Sequence, residues 1–455
     1  VQHVLTFSSG ESWLDGFVVR GGNASGTGEA ATGGGLLSKG TLTVTGCTFQ
    51  DNRASAQGGA VRATAGSLAL VGSTFERNTS GTSGGAVSST VPVTTTDAVF
   101  TSNEATTTGG ALQSSGLATI EVSVFSGNAA GTRGGAAYLA AANIRDSAFL
   151  SNVAGNAATH TAGGVFVGGA GTVVRSRFIG NRAFDSAGGL HIASPSANVA
   201  VSDSEFAGNS AANGGGVYFD AARGSITNSL IHSNVAQSSG GLFARDSNPT
   251  IKSCTIHGNI ARGGQGGGIG LSGSTAVLTN VIVWGNRGST SASIQYTSAT
   301  PALTYSDVEG GATGTGNINA NPLFVHAPAF VDVVVSGSSS SIGVISGGLH
   351  AVGNIIEIGG DGVARTLTEI TGDSLTFTPA LSASPLVSTS VRNWGTSTHL
   401  TLDLRLSAGS PALDAANGDA APAADKEGTA RRDDASVANS GAGAIAYADM
   451  GCFER

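Results

Sequence analysis

Residues 58–78 read GGAVRATAGSLALVGSTFERN, and residues 84–103 return to the same pattern as GGAVSSTVPVTTTDAVFTSN. Each segment opens on a glycine pair and closes on an apolar residue, two polar or small residues and Asn. The closing signature recurs as Phe49–Asn52, Phe75–Asn78, Phe100–Asn103, Phe125–Asn128, Phe149–Asn152, Phe178–Asn181, Phe206–Asn209, Ile231–Asn234, Ile256–Asn259 and Val283–Asn286. Successive Asn residues stand 24 to 29 positions apart. A fixed period near 25 residues is the mark of a solenoid, in which each repeat buries its apolar face only against its neighbours.

The repeats read as β rather than helical. Segments such as Ser67–Val71 and Ala200–Ser202 are short and alternate, and no window sustains the i, i+3, i+4 pattern of a helix. Glycine pairs and Asn supply the tight or left-handed corners. Two residues before the apolar position stands a column of mostly small residues, from Cys47 and Ser73 to Cys254 and Ser306. Two after the second glycine stand Val61, Val87, Leu112, Ala137, Phe166, His191, Val217, Phe243 and Ile269, expected to point inward. Ala follows two after the Asn in most repeats, as at Ala54, Ala105, Ala130, Ala154 and Ala183. Columns that stack on themselves describe a packed tube. The Asn residues 52, 78, 103, 128, 152, 181, 209, 234, 259 and 286 are expected to form an amide ladder along it.

Counting Val19 as the first coil and Val308 as the last gives about twelve coils. Trp13, Phe17 and Val19 are the apolar residues of the opening coil. The expected divisions are a parallel β-helix over 1–325, a small inserted β module over 326–400, and a closing segment and cap over 401–455. The module should contain strands near 352–358, 365–368 and 374–377, joined by Gly-Asp turns.

Only 11% of residues are charged and 71 are Gly, yet the strict spacing of apolar residues argues against disorder. A net charge of −8 offers no basic patch for nucleic acid. No apolar run approaches the roughly 20 residues that span a bilayer as a helix. With Val1 first and no signal segment before it, the chain is expected to be a mature or excised piece of a longer product. Cys47 and Cys254 share one repeat position eight coils apart, roughly 38 Å at strand spacing, which excludes a disulfide between them.

The paired GGA-[V/L] and FxxN motifs, as in Gly58-Gly59-Ala60-Val61 with Phe75-Glu76-Arg77-Asn78, resemble the repeat of chlamydial polymorphic outer-membrane proteins. They are similar more widely to bacterial right-handed parallel β-helix surface proteins. The resemblance covers about residues 14–325 and implies a right-handed all-β solenoid and, in some relatives, surface display and adhesion. The stretch 316–324, Gly-Asn-Ile-Asn-Ala-Asn-Pro-Leu-Phe, resembles the closing coil of such proteins, and Leu402–Ser407 with Ser410–Asp414 resembles their terminal segment.

A β-helix is also the scaffold of polysaccharide lyases and glycoside hydrolases. Such chemistry needs acidic residues on neighbouring coils, as cation ligands or as acid and base, beside a cation. Asp220 and Asp246 each lie five positions after a second glycine and are expected to stack, with Arg223 and Arg245 adjacent; the simpler reading is a corner where Asp caps a turn and pairs with Arg. Asp146, Arg175 and Asp203 form another column, with Arg177 and Glu205 close by, and read as cross-strand ion pairs. His232 and His257 stack one after the apolar column and Trp284 follows, a pattern that suits a sugar-stacking site or two of the ligands a metal would need. HExxH, GxSxG, CxxC and phosphate-loop motifs are missing, and nothing calls for a cofactor.

These readings lead to a non-enzymatic extracellular or bacterial cell-surface β-helix with a structural or adhesive role. Its expected partners are cell-surface polysaccharide, other surface proteins or further copies of itself. The alternatives are a polysaccharide lyase or glycoside hydrolase, and a self-assembling fibre or sheath subunit.

Overall fold

The computed structural model describes residues 3–155, 161–263, 266–288, 293–298, 300–387 and 389–455. It divides into two compact units, Val1–Ser225 with Ala244–Pro249, and Ile226–Phe243 with Thr250–Arg455. Each contains parallel β-solenoid, with about 25 residues per turn.

In the first unit the apolar signature forms short strands that pair in parallel and in register. They run from Val18–Arg20, Thr48–Gln50 and Thr74–Glu76 to Arg177–Ile179 and Glu205–Ala207. A three-residue strand turns only its central side chain inward, so Val19 and the Phe residues 49, 75, 100, 125, 149, 178 and 206 stack in the core. Neighbouring Phe rings lie 4.4–5.0 Å apart and within 18° of parallel. The residue before each Asn takes a left-handed corner, as Asp51, Arg77, Ser102 and Ser151 do with φ between 51° and 55°. That corner swings the Asn side chain back inside. Ala24, Ala54, Ala105, Ala130, Ala154 and Ala183 then bury the next short strands.

The glycine pairs have a packing cause. A Cβ at Gly59, Gly85 or Gly110 would stand 2.0–2.2 Å from a carbonyl oxygen of the next coil, so only glycine allows the coils to approach there. The residue before it needs positive φ, met by Gly58 at 66° and Gly84 at 66°. In two later coils Ala162 and Ala187 take that conformation instead, at 62° and 56°. The visible glycine pair therefore slips one place, to Gly163-Gly164 and Gly188-Gly189. The register pairs Ala137 with Val165, Val165 with Leu190 and Leu190 with Val217. Phe166 and His191, expected inside, are thus on the outer side of the sheet, level with Arg62, Ser88, Gln113 and Tyr138. In the opening coil, Leu14 and Val19 are buried, while Trp13 and Phe17 are exposed.

In the second unit Leu230–His232, Thr255–His257, Ile282–Trp284 and Asp307–Val308 continue the parallel register, with Ile231, Ile256, Val283 and Val308 inward. Phe324–His326 then pairs antiparallel with Asp403–Leu406. Between them, Phe330–Gly337, Ser341–Val344, Ser374–Thr378, Arg365–Thr371, Ile355–Ile358 and Ser390–Asn393 close into an antiparallel barrel around Val334, Ile356, Leu375 and Phe377. The first and last of these strands close it, and closure leaves no unpaired edge. The C-terminal tail lies along the outer face of the solenoid strands as well as closing the chain. Met450 and Leu413 pack with Ile282, and the Cys452 N–H donates to Thr255 Oγ1 at 3.2 Å.

Candidate functional site

The Asn column is wholly buried. In the first unit each amide nitrogen donates to the next Asn side-chain oxygen at 2.9–3.0 Å, from Asn52 through Asn181 to Asn209. In the second unit Asn234 donates to Asn259 and Asn259 to Asn286, each at 2.9 Å. Each amide also donates to the carbonyl of the apolar residue one coil back, as Asn78 does to Phe49 at 2.9 Å. No atom of this ladder is left over for a ligand. The small-residue column behaves alike: Ser123, Ser147, Ser176 and Ser204 each accept from a main-chain N–H one coil back at 3.1–3.2 Å.

Asp220 and Asp246 do not stack. The Ala221 N–H donates to the Arg245 carbonyl at 2.9 Å, which sets Asp220 level with Arg245 and Asp246 one place further on. Asp246 occupies a left-handed corner at φ 49°, as Ala221 does. The slip of the glycine pair by one position is again the cause. Arg245 closes over Asp220 through three contacts of 2.8–3.0 Å, taking both carboxylate oxygens. Arg223 is exposed at the start of the next strand and pairs with neither carboxylate. Elsewhere on the same unit Arg175 takes both oxygens of Asp146 at 2.7 and 2.8 Å, and Arg177 reaches Glu205 at 2.9 Å.

The slip also brings Phe166 and His191, which the sequence reading placed indoors, into an outer row with Tyr138 and Tyr218. Tyr138 and Phe166 stack at 4.8 Å, Phe166 meets His191 edge-on at 5.2 Å, and His191 lies 4.9 Å from Tyr218. Arg133 stands over Phe166 and Arg245 over Tyr218, each 5.8 Å from the ring centre. His191 is buried, and neither ring nitrogen has a hydrogen-bond partner among the described residues. Its Nε2 is 4.0 Å from Asp220 Oδ2. Burial, reinforced by Arg133 and Arg245, pushes its pKa down to about 3, so the imidazole is neutral at pH 7. Matching coils by the positive-φ residue, rather than by the first visible glycine, would have revealed this row.

His232, His257 and Trp284 fall in register in the second unit, but they are not displayed. His257 is buried with its ring edge-on to Phe324 at 5.1 Å, and Trp284 packs into the cluster holding Leu406 and Met450. Burial, then the neighbouring His232, lowers the His257 pKa to about 4. His232 Nδ1 is 3.2 Å from Ser233 Oγ. The chain beyond residue 320 packs against the His257 and Trp284 rings. No trio of His, Cys, Asp or Glu among the described residues is placed to hold a metal ion. Cys47, Cys254 and Cys452 are each buried.

The family model described as the right handed beta helix region matches residues 134–307. No curated protein matches the chain closely enough to count as a relative.

Proposed function

We propose that this protein is a non-enzymatic extracellular or bacterial cell-surface β-helix with a structural or adhesive role, contacting surface polysaccharide or other surface proteins along its outer faces. The observation that carries this reading is the pairing of Asp220. A general acid or base needs a carboxylate oxygen free to reach substrate, and both oxygens of Asp220 are engaged by the Arg245 guanidinium. The GGA-[V/L]/FxxN repeats, similar to those of chlamydial polymorphic outer-membrane proteins, support the same role. Purified protein incubated with polygalacturonate and other acidic polysaccharides should release no new reducing ends or unsaturated products. Antibody labelling of intact source cells should find it at the surface. Polysaccharide cleavage that Asp220→Ala abolishes would overturn the reading.

One observation favours a carbohydrate-active alternative. The neutral His191 beside Asp220, in a row of aromatic rings, has the residue types of a sugar subsite with a base. His191→Gln separates the two readings: it should leave adhesion to polysaccharide-coated surfaces intact and would abolish turnover if the alternative holds.

A further inference from the structure

Where the barrel meets the solenoid of the second unit, Val331 and Val333 pack against Val235 and Ile260. Beside that contact opens a cleft of about 410 Å³, within the size range of small-molecule sites. Arg262 and Arg287 line it from the solenoid, Glu309 from the last coil, and Asp332 and Ser346 from the barrel. The Arg287 guanidinium lies 4.6 Å from the centre of the Phe330 ring. It forms no ion pair with any described residue. Burial lowers the pKa of both arginines below the usual guanidinium range.

The acidic groups of the cleft are already engaged. Asp332 accepts from the N–H groups of Val333, Ile345 and Ser346 at 2.8–3.2 Å and lies 3.4 Å from His350 Nε2. Glu309 accepts from the Gly285 N–H at 2.8 Å. Asp332 and Glu309 attract Arg287 from a distance but neither forms an ion pair with it, so the half-buried guanidinium keeps donors that an anion entering the cavity can complete. The flat fork of Arg matches a carboxylate bidentately, and its stacking on an aromatic ring holds that fork in place. The two acidic side chains disfavour a dianion such as phosphate but tolerate a single negative charge. Ser346 and Glu309 add hydroxyl-binding groups to the same walls.

We propose that this cleft binds a carboxylate carried by a sugar, a uronic acid residue, with Arg287 as its bidentate partner and Arg262 as the second cation. The assignment goes beyond the surface role and does not depend on it. Isothermal titration of the full chain with glucuronate and galacturonate tests it, with glucose and sulfate as comparison probes. At least one uronate should bind saturably, glucose should not, and Arg287→Gln should weaken binding by about tenfold or more, the value of a charged hydrogen bond. Arg262→Gln is measured in parallel, so the outcome does not hang on one variant's folding. Absence of saturable uronate binding to the unaltered protein would overturn the proposal. So would binding that both variants leave unchanged, or sulfate binding with both uronates silent.

Discussion

Replacing Asn128 with Ala removes one rung from the middle of the amide ladder, and the cost follows from its contacts. The side chain is fully buried. Its amide donates to the Phe100 carbonyl and to Asn152 Oδ1, both at 2.9 Å. Its oxygen accepts from the Asn103 N–H at 2.9 Å and from the Asn103 amide at 3.0 Å. Two of the four partners keep other bonds: the Asn103 amide still reaches Phe75, and Asn152 Oδ1 still accepts from the residue 128 N–H. The Phe100 carbonyl and the Asn103 N–H lose their side-chain partner inside the core. Stranding a buried polar group costs about 1–3 kcal/mol, and the side-chain entropy released offsets about 1 kcal/mol. The net loss is about 3 kcal/mol, or about 6–12 °C in Tm for a unit of this size. Asn128→Asp should be worse at pH 7, because it sets a carboxylate oxygen against two acceptors, and should recover in part on acidification. Asn143→Ala, which removes only an exposed contact with Thr172, should change stability by less than about 0.5 kcal/mol. Circular dichroism melts compare the variants; if Asn128→Ala melts together with Asn143→Ala, the ladder is not what holds these coils together.

Ala187→Gly should raise Tm by relieving a left-handed Ala at φ 56°, a gain of about 1 kcal/mol, whereas Gly110→Ala should prevent folding because its Cβ would lie 2.0 Å from the Gly135 oxygen; soluble yield and melting report both. Arg175→Ala removes an exposed pair with Asp146 and should cost less than about 1 kcal/mol at any salt concentration, read from the urea midpoint. His191 is held near 3 in the fold against about 6.5 unfolded, so stability present above pH 6.5 is lost as pH falls towards 3. At pH 5 that loss is about 2 kcal/mol, and His191→Phe should remove it from the pH–stability curve.

The interior of the first unit was legible because its signals are local and repeat. The Phe rings, the Asn amides and the small inward residues each keep a constant distance from one corner, so the spacing alone aligns them. The outer row was misread because the most visible marker is not the one the backbone obeys. The conserved geometric requirement is a left-handed residue followed by a glycine with no room for a Cβ. When Ala162 and Ala187 meet the first requirement, the glycine pair moves and every residue after it changes face, since the side-chain period of a strand is two. A further slip, with Ser239 at φ 57° as the left-handed residue before Gly240-Gly241, set Asp246 beside Ala221 instead of Asp220.

His232, His257 and Trp284 were misread for a different reason: a repeat distinguishes inside from outside but does not say whether the outside meets water. A signal for the cover was present in the flanking residues. In the first unit the residues beside the Phe column are mixed, with Thr48 and Gln50, Thr74 and Glu76, and Arg177 polar and Val99, Val124 and Leu150 apolar. In the second unit they become Leu230, Thr255, Ile282, His232, His257 and Trp284. A strand whose two outward positions turn large or apolar must bury them against something, and here Leu230 meets Leu404 and Phe453 while Ile282 meets Leu406 and Met450. An outer face built to be covered by its own chain is closed to partners. The flanks of the Phe column in the first unit are therefore the surface on which an adhesive role has to be tested.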